Sequence, residues 1–288
     1  MSDDIKTGVS GVVTSIKGAF GDMVLKNFKA PRPDNTASEL DYSNEVSALQ
    51  VLQSHVSALP FRIPQIVTHG VHETMETEYG PYAFIQMTKL ANPLGNSDKN
   101  DSYYDDITEE DMQRQAYEAG RAAAHLHGLD ISPEERATLT RDPVELIKNQ
   151  LRNHPVAAQH PDLIERGIGL LDRLEGEDVF VHNDFHHVNL FAQSYDGPVE
   201  GICDFCFSGM GVRELDIRMY VGKYREAFTQ GYDEVSDVPL NPANVDIMAE
   251  VSTVFKELYH RLEDDISAQQ DNGIADTNAP EAGHLRPL

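Results

Sequence analysis

The densest set of chemistry-bearing residues is the run Phe180-Val181-His182-Asn183-Asp184-Phe185-His186-His187-Val188-Asn189-Leu190-Phe191. Its polar groups lie between two apolar flanks, so the loop is held at both ends by buried chain. Beyond it, Gly201-Ile202-Cys203-Asp204-Phe205 puts an aspartate at the end of another apolar run. A carboxylate in such a place is costly unless it meets a cation or a hydrogen-bond donor. Asp184, Asn189 and Asp204 offer two carboxylates and an amide oxygen, the hard oxygen ligands that Mg²⁺ prefers. The same loop contains a competing set, His182, Asp184, His186 and His187, an arrangement that binds transition metals in a metallohydrolase. That reading needs further ligands downstream, yet His260 falls in a helical pattern and His284 in a polar tail.

Such a loop needs elements to hold it. Val9 to Ile16 and Met23 to Phe28 read as strands joined through a turn containing Gly18 and Gly21. From Asp41 to Leu59 the apolar residues Val46, Leu49, Leu52, Val56 and Leu59 share one helical face, with Asp41 or Ser43 as the cap. Pro60 and Pro64 break that helix. Ile63 to Val67 and Tyr82 to Met87 read as strands around a turn near Gly80-Pro81. Ala91 to Asp106 is polar and reads as a boundary loop. Helical patterns follow at Glu109–His127, Val144–Arg152, Pro161–Leu174, from Arg213 through Tyr232, and at Asn244–Ile266. Val179–His182 and Val199–Cys203 are short apolar strands. The residues from Gln269 onward read as a flexible tail. The order predicts an α+β chain with a small strand-rich lobe followed by a larger, mainly helical one.

Composition excludes several classes of function. The 288 residues carry 48 Asp+Glu against 23 Lys+Arg, a formal charge of −25. So acidic a chain is unsuited to nucleic-acid backbones, which need clustered Lys and Arg, and is repelled by anionic membranes. It has no apolar run of about 18 residues that would span a bilayer. The amino-terminal stretch lacks the basic start and apolar core of a signal peptide, so a cytoplasmic protein is expected. Two cysteines form no disulfide framework. Cys203-x-x-Cys206 begins in a buried strand and has no second pair, so it reads as buried small residues rather than a redox or zinc site.

His182-x-Asp184-x-x-x-x-Asn189 followed by Cys203-Asp204-Phe205 resembles the catalytic loop and metal-binding Asp of the aminoglycoside phosphotransferase and choline kinase superfamily. The resemblance extends to Leu126-His127 at a helix end, to Arg213-Glu214-Leu215-Asp216 and to Phe228-x-x-Gly231-Tyr232, and runs from about residue 14 to 265. The wording His182-Asn183-Asp184 is nearer the choline and ethanolamine kinases; aminoglycoside kinases more often have Gly at the middle place. Two positions depart from the pattern: Val188 stands where Gly usually precedes the metal-binding Asn, and Cys203 replaces an aliphatic residue.

The resemblance implies a bilobal protein-kinase-like fold, with a small antiparallel β-rich lobe at 1–90, an α-rich lobe at 91–268 and a tail at 269–288. It implies ATP and Mg²⁺, with transfer of the γ-phosphoryl group to a hydroxyl of a small molecule. Asp184 would orient that hydroxyl and take its proton. Asn189 and Asp204 would hold the metal, His182 would support the loop, and Asp216 would brace it. A strand lysine is then required upstream. Lys26 shares a face with Val24 and Phe28, and Glu45 borders the apolar face of the following helix, where it can fix the lysine. Gly18 and Gly21 would let backbone N–H groups approach the phosphates, and the segment Gln86 to Leu90, with Gln86 and Thr88, would meet the adenine. None of Lys26, Glu45, Asp184, Asn189 or Asp204 is missing, so a pseudokinase without turnover is not indicated. The implied acceptors are choline or ethanolamine, an aminoglycoside, an amino alcohol such as homoserine, or a sugar-amine adduct. The acidic stretch Asp98 to Asp111 suits a cationic one, although a generally acidic surface accounts for the charge equally well.

Overall fold

The computed structural model describes residues 5–7, 11–18, 21–28, 37–71, 83–90, 108–194 and 197–271. The turn near Gly80-Pro81, the boundary loop and the end of the tail lie outside these. Strands β1 (Ile5–Thr7), β2 (Gly11–Gly18), β3 (Gly21–Phe28), β4 (Ile66–Val71) and β5 (Ala83–Thr88) form one sheet in the order β1-β2-β3-β5-β4, every pair antiparallel. The β2–β3 hairpin closes at Gly18 opposite Gly21, as the turn signal requires. Register places Val24, Lys26 and Phe28 opposite Met87, Ile85 and Ala83, so these side chains share a face. Phe28, Ile85 and Met87 bury there against Val46.

Helix α1 (Ala37–Ser54) starts before the expected position, so Asp41 and Ser43 lie inside it rather than capping it. It ends at Ser54, and Val56 leaves the helical face and is exposed on a 3-10 turn. Ala48, Leu49, Val51 and Leu52 join the main core with the helical part of the molecule. Strand β4 also begins later than expected. Residues 61–63 instead run alongside Gly201, where Arg62 donates N–H to Glu200 and accepts from Ile202.

The helical part comprises α2 (Glu109–His127), α3 (Pro133–Arg136), α4 (Pro143–Arg152), α5 (Pro161–Leu171), α6 (Arg225–Val235) and α7 (Pro242–Asp271). Helix α2 has the bounds its periodicity predicts, and a capping box between Thr108 and Asp111 sets its start. Its buried residues include Ala116, Ala119, Gly120, Ala122 and Ala123, small enough for α6 to cross closely. A Cβ on Gly120 would overlap the Phe228 carbonyl, and one on Gly231 would overlap that of Tyr117. Arg213–Ile217 forms a 3-10 turn where a continuous helix was expected; the chain turns at Gly222, with φ 103°, before α6 begins. Helix α7 runs past Gln269, where the tail was placed.

Two short ribbons carry the candidate loop. Strand β6 (Val179–Val181) pairs with β9 (Gly209–Gly211), and β7 (Leu190–Phe191) pairs with β8 (Gly201–Ile202). Both pairs are anchored in the main core through Phe180, Val181, Leu190 and Ile202.

Candidate active site

Strand β3 delivers Lys26 to the face covered by α1. The ammonium donates to Glu45 Oε2 at 2.7 Å and to Asp204 Oδ1 at 2.8 Å. Lys26 and Glu45 are 5% and 1% exposed, so this ion pair is shielded from water, while the Asp204 side chain keeps 32% of its surface. Burial alone would lower the Lys26 pKa; the Asp204 and Glu45 carboxylates outweigh it and hold the ammonium well above its ordinary value. Burial raises the Glu45 carboxyl to about 7 against the opposing pull of Lys26. Burial also acts to raise Asp204, but the Lys26 charge and hydrogen bond hold it below the usual carboxylate range. An ammonium has three N–H donors. Two are used here on carboxylates, and the ammonium also lies 5.0 Å from the centre of the Phe28 ring.

Asp204 sits in the left-handed region, with φ 63°. The 3-10 turn Phe205–Phe207 follows, and its carbonyls point at α1 and at the segment before α4. Asn44 Nδ2 donates to Cys206 O at 2.9 Å and to Ser208 O at 2.8 Å. Arg141 Nη1 donates to the same Cys206 carbonyl at 2.8 Å and to Asp41 Oδ1 at 2.8 Å.

The loop after β6 is pinned from below by Asp216. Its Oδ2 accepts from His182 N at 3.0 Å and its Oδ1 from Asn183 N at 2.5 Å. His127 Nε2 lies 3.0 Å from Asp216 Oδ2, and His127 Nδ1 lies 3.0 Å from the Tyr232 hydroxyl. The chain Tyr232–His127–Asp216 therefore ties α6 and the end of α2 to the loop backbone. Burial would raise Asp216, yet the hydrogen bond with His127 and the backbone N–H of His182 keep its carboxyl depressed. Asn183 is left-handed at φ 60°, a conformation that Asn and Gly tolerate. That requirement suits Asn183 to its place between His182 and Asp184.

Asp184 and Asn189 face one another across the loop. Asn189 Nδ2 donates to Asp184 Oδ2 and to its carbonyl, both at 2.9 Å. The amide nitrogen is thus spent, and the oxygen is the part of Asn189 left for a cation. That oxygen and the partly exposed Asp204 carboxylate are hard oxygens, the ligand type that could hold Mg²⁺. Burial and the nearby Asp204 carboxylate raise the Asp184 pKa, while His182, Arg218 and His186 oppose the rise. A half-buried carboxylate of raised basicity can accept a proton from a hydroxyl.

The other sequence-predicted residues divide. His182 donates from Nε2 to Cys203 O at 2.9 Å and accepts Asp184 N at Nδ1, 3.2 Å away, between the rings of Phe185 and Phe205. Both its nitrogens are occupied, so it supports the loop and does not ligate a metal. Among the described residues no group of three or more His, Cys, Asp or Glu is placed to hold a metal ion. Val188 is exposed, so its side chain replaces the usual Gly without entering the loop. Gln86 and Thr88 pair with Leu25 and Met23, on the sheet face opposite Lys26. Gln86 contacts Met23, and Thr88 Oγ1 accepts from Gln65 N. Their side chains are not brought to the site. Gly18 and Gly21 close the hairpin, and the residues between them lie outside those described. Cys203 and Cys206 are both free, with thiols pushed up by burial. Reasoning from local pattern missed Asn44, Arg141 and Arg218, whose contacts are distant in the chain; Arg218 Nη2 donates to the carbonyl of Asn183 at 3.3 Å.

The family model described as phosphotransferase enzyme family matches residues 5–237. Among curated proteins there is no match. The chain is similar in structure to macrolide 2'-phosphotransferase MphH from Brachybacterium faecium, at 19% identity and a TM-score of 0.59, covering 96% of this chain and 92% of that one. It is also similar to APH(2")-IIia, solved with GDP and kanamycin, at 13% identity and a TM-score of 0.60, covering 94% and 90%. A third is a microcompartment-associated aminopropanol kinase, at 14% identity and a TM-score of 0.58, covering 87% and 81%. At these identities the likeness establishes the fold, which is bilobal and kinase-like. Among the described residues no helix is long and apolar enough to cross a membrane.

Proposed function

The chain belongs to the phosphotransferase enzyme family, and from that premise we propose that it transfers the γ-phosphoryl group of ATP to a hydroxyl of a small, amine-bearing molecule. The observation that carries this reading is the Lys26 ammonium held between Glu45 and Asp204, with Asp184 fixed by Asn189 beside it. Lys26 would hold a phosphate oxygen through its remaining N–H. Asn189 and Asp204 would hold Mg²⁺, which supplies positive charge to the phosphates when bound. Asp184 would orient the acceptor hydroxyl and take its proton as the oxygen attacks phosphorus. Little more is asked of the protein, because phosphoryl transfer is accelerated mainly by positioning and electrostatics.

The choice of an amine-bearing acceptor rests on charge. At −25 the protein draws cations towards it, and the structural neighbours include proteins solved with kanamycin and gentamicin and a kinase of aminopropanol. The experiment is incubation of the purified chain with Mg²⁺, γ-labelled ATP or GTP, and a panel of amino alcohols, choline, aminoglycosides and neutral sugars. Label should pass to an amine-bearing hydroxyl compound and depend on Mg²⁺. Hydrolysis that requires zinc and no nucleotide would overturn the proposal.

A further inference from the structure

We propose that Arg141 is a positioning residue for phosphoryl transfer, a strut from the helical lobe that sets α1 and the Asp204 segment in register. The proposal rests on the kinase reading above and extends it to a residue outside every motif that carried the resemblance.

Asp41, Asn44 and Glu45 are spaced three and four apart, so they lie on one face of α1. That face meets the Asp204 segment at three levels. Glu45 reaches Asp204 through Lys26, and Asn44 donates to the carbonyls of Cys206 and Ser208. Asp41 reaches Cys206 O through a single Arg141 nitrogen, 2.8 Å from each. Of these three levels only the last includes a group from outside the sheet, α1 and the Asp204 segment. The Asp41 and Arg141 side chains are 7% and 9% exposed, and the guanidinium carbon lies 5.7 Å from the centre of the Phe207 ring. The contact is therefore desolvated, and a charge-assisted bond there is stronger than one in water. Arg141 directly precedes Asp142, the cap of α4, so its backbone is fixed to the helical lobe.

The consequence is geometric. Glu45 sets where the Lys26 ammonium lies, and the backbone after Asp204 sets where its carboxylate points. Arg141 touches both supports and neither reacting group. Without it α1 and the turn after Asp204 can shift relative to one another, and the phosphate clamp loses its alignment.

The test compares Arg141→Met, Arg141→Lys and the double variant Asp41→Asn/Arg141→Met. The double variant guards against misfolding, because Arg141→Met alone strands the buried Asp41 charge. Amide hydrogen exchange without nucleotide should show faster exchange in α1 and in residues 204–208 for both Met variants. Their kcat should fall by about ten- to a hundredfold, as loss of a charge-assisted contact implies, with KM for the acceptor unchanged. Arg141→Lys should recover to within about threefold of wild type, since one ammonium can bridge both acceptors. Unchanged exchange in the Met variants would overturn the strut. Faster exchange with unchanged kcat would overturn the positioning role. A wild-type chain that fails to bind Mg²⁺–nucleotide would instead overturn the kinase reading on which the role depends.

Discussion

The Lys26 ammonium lies 2.8 Å from the Asp204 carboxylate although 178 positions separate them in the chain. The contact joins a strand of the sheet to the end of a strand in the helical lobe, so it reports whether the two lobes are aligned. Glu45 holds the same ammonium from α1.

Replacing Lys26 by Met should lower Tm, because breaking a buried ion pair from one side costs about 3–5 kcal/mol. The double variant Lys26→Met/Glu45→Gln should recover part of the loss, since it removes the stranded buried charge. Calorimetry of the two variants checks this. Both should bind Mg²⁺–ATP more weakly than wild type.

The crossing of α2 and α6 leaves no room for a methyl group on either glycine. Gly120→Ala or Gly231→Ala must separate the helices, at a cost of about 1–3 kcal/mol or more. The displacement should also reduce turnover, because Tyr232 would move away from His127. Gly169, in α5, has nothing within 4 Å of an added Cβ. Gly169→Ala should therefore be neutral or stabilising by about 0.5–1 kcal/mol. Thermal melts of the three variants give the comparison.

Asn183 holds a positive φ in the loop that presents Asp184. Asn183→Gly should keep turnover within a few fold, whereas Asn183→Val should lower it by about five- to thirtyfold, since a left-handed β-branched residue costs about 1–2 kcal/mol. Steady-state rates of the two variants decide the matter; equal rates would show that the backbone conformation is not what selects the residue.

Glu135 gives the fold an acid-sensitive tie. It accepts from Ser54 Oγ and from Ser132 N and Oγ, and these bonds hold its carboxyl down at about 2, against 4.5 for the free group. A depressed carboxylate adds stability that is complete above the unfolded pKa and is lost as pH falls through the folded one. The contribution should therefore be present above about pH 4.5 and disappear towards pH 2. Glu135→Gln should remove that slope from the urea-unfolding stability measured between these values.

Much of the candidate site was legible because its residues keep a fixed order and lie beside strong local patterns. Lys26 alternates with Val24 and Phe28, Asp184 and Asn189 share one loop, and Asp204 ends an apolar run. The bounds of α2 were also readable, since a full amphipathic pattern follows Thr108 directly. What escaped depends on tertiary contacts. Asp41 has the chemistry of a cap, but it faces Arg141 inside a helix that begins earlier. Gln86 and Thr88 occupy the right segment, yet strand register turns their side chains away from Lys26. After Arg213 the apolar spacing fits a helix, and only the 3-10 turn and Gly222 show where it breaks. No local pattern marks Arg141 or Asn44, because their partners lie between 65 and 164 positions away.

The most direct test of the account is Asp184→Asn, an isosteric change that removes the proton acceptor and keeps the hydrogen-bonding shape. With the best acceptor from the panel, turnover should fall by about 10²–10⁴-fold, the usual contribution of a general base. Mg²⁺–ATP affinity, measured by calorimetry on the same preparation, should stay within about twofold, because Lys26, Asn189 and Asp204 remain in place. Turnover retained by Asp184→Asn would contradict the assignment of Asp184 as the base.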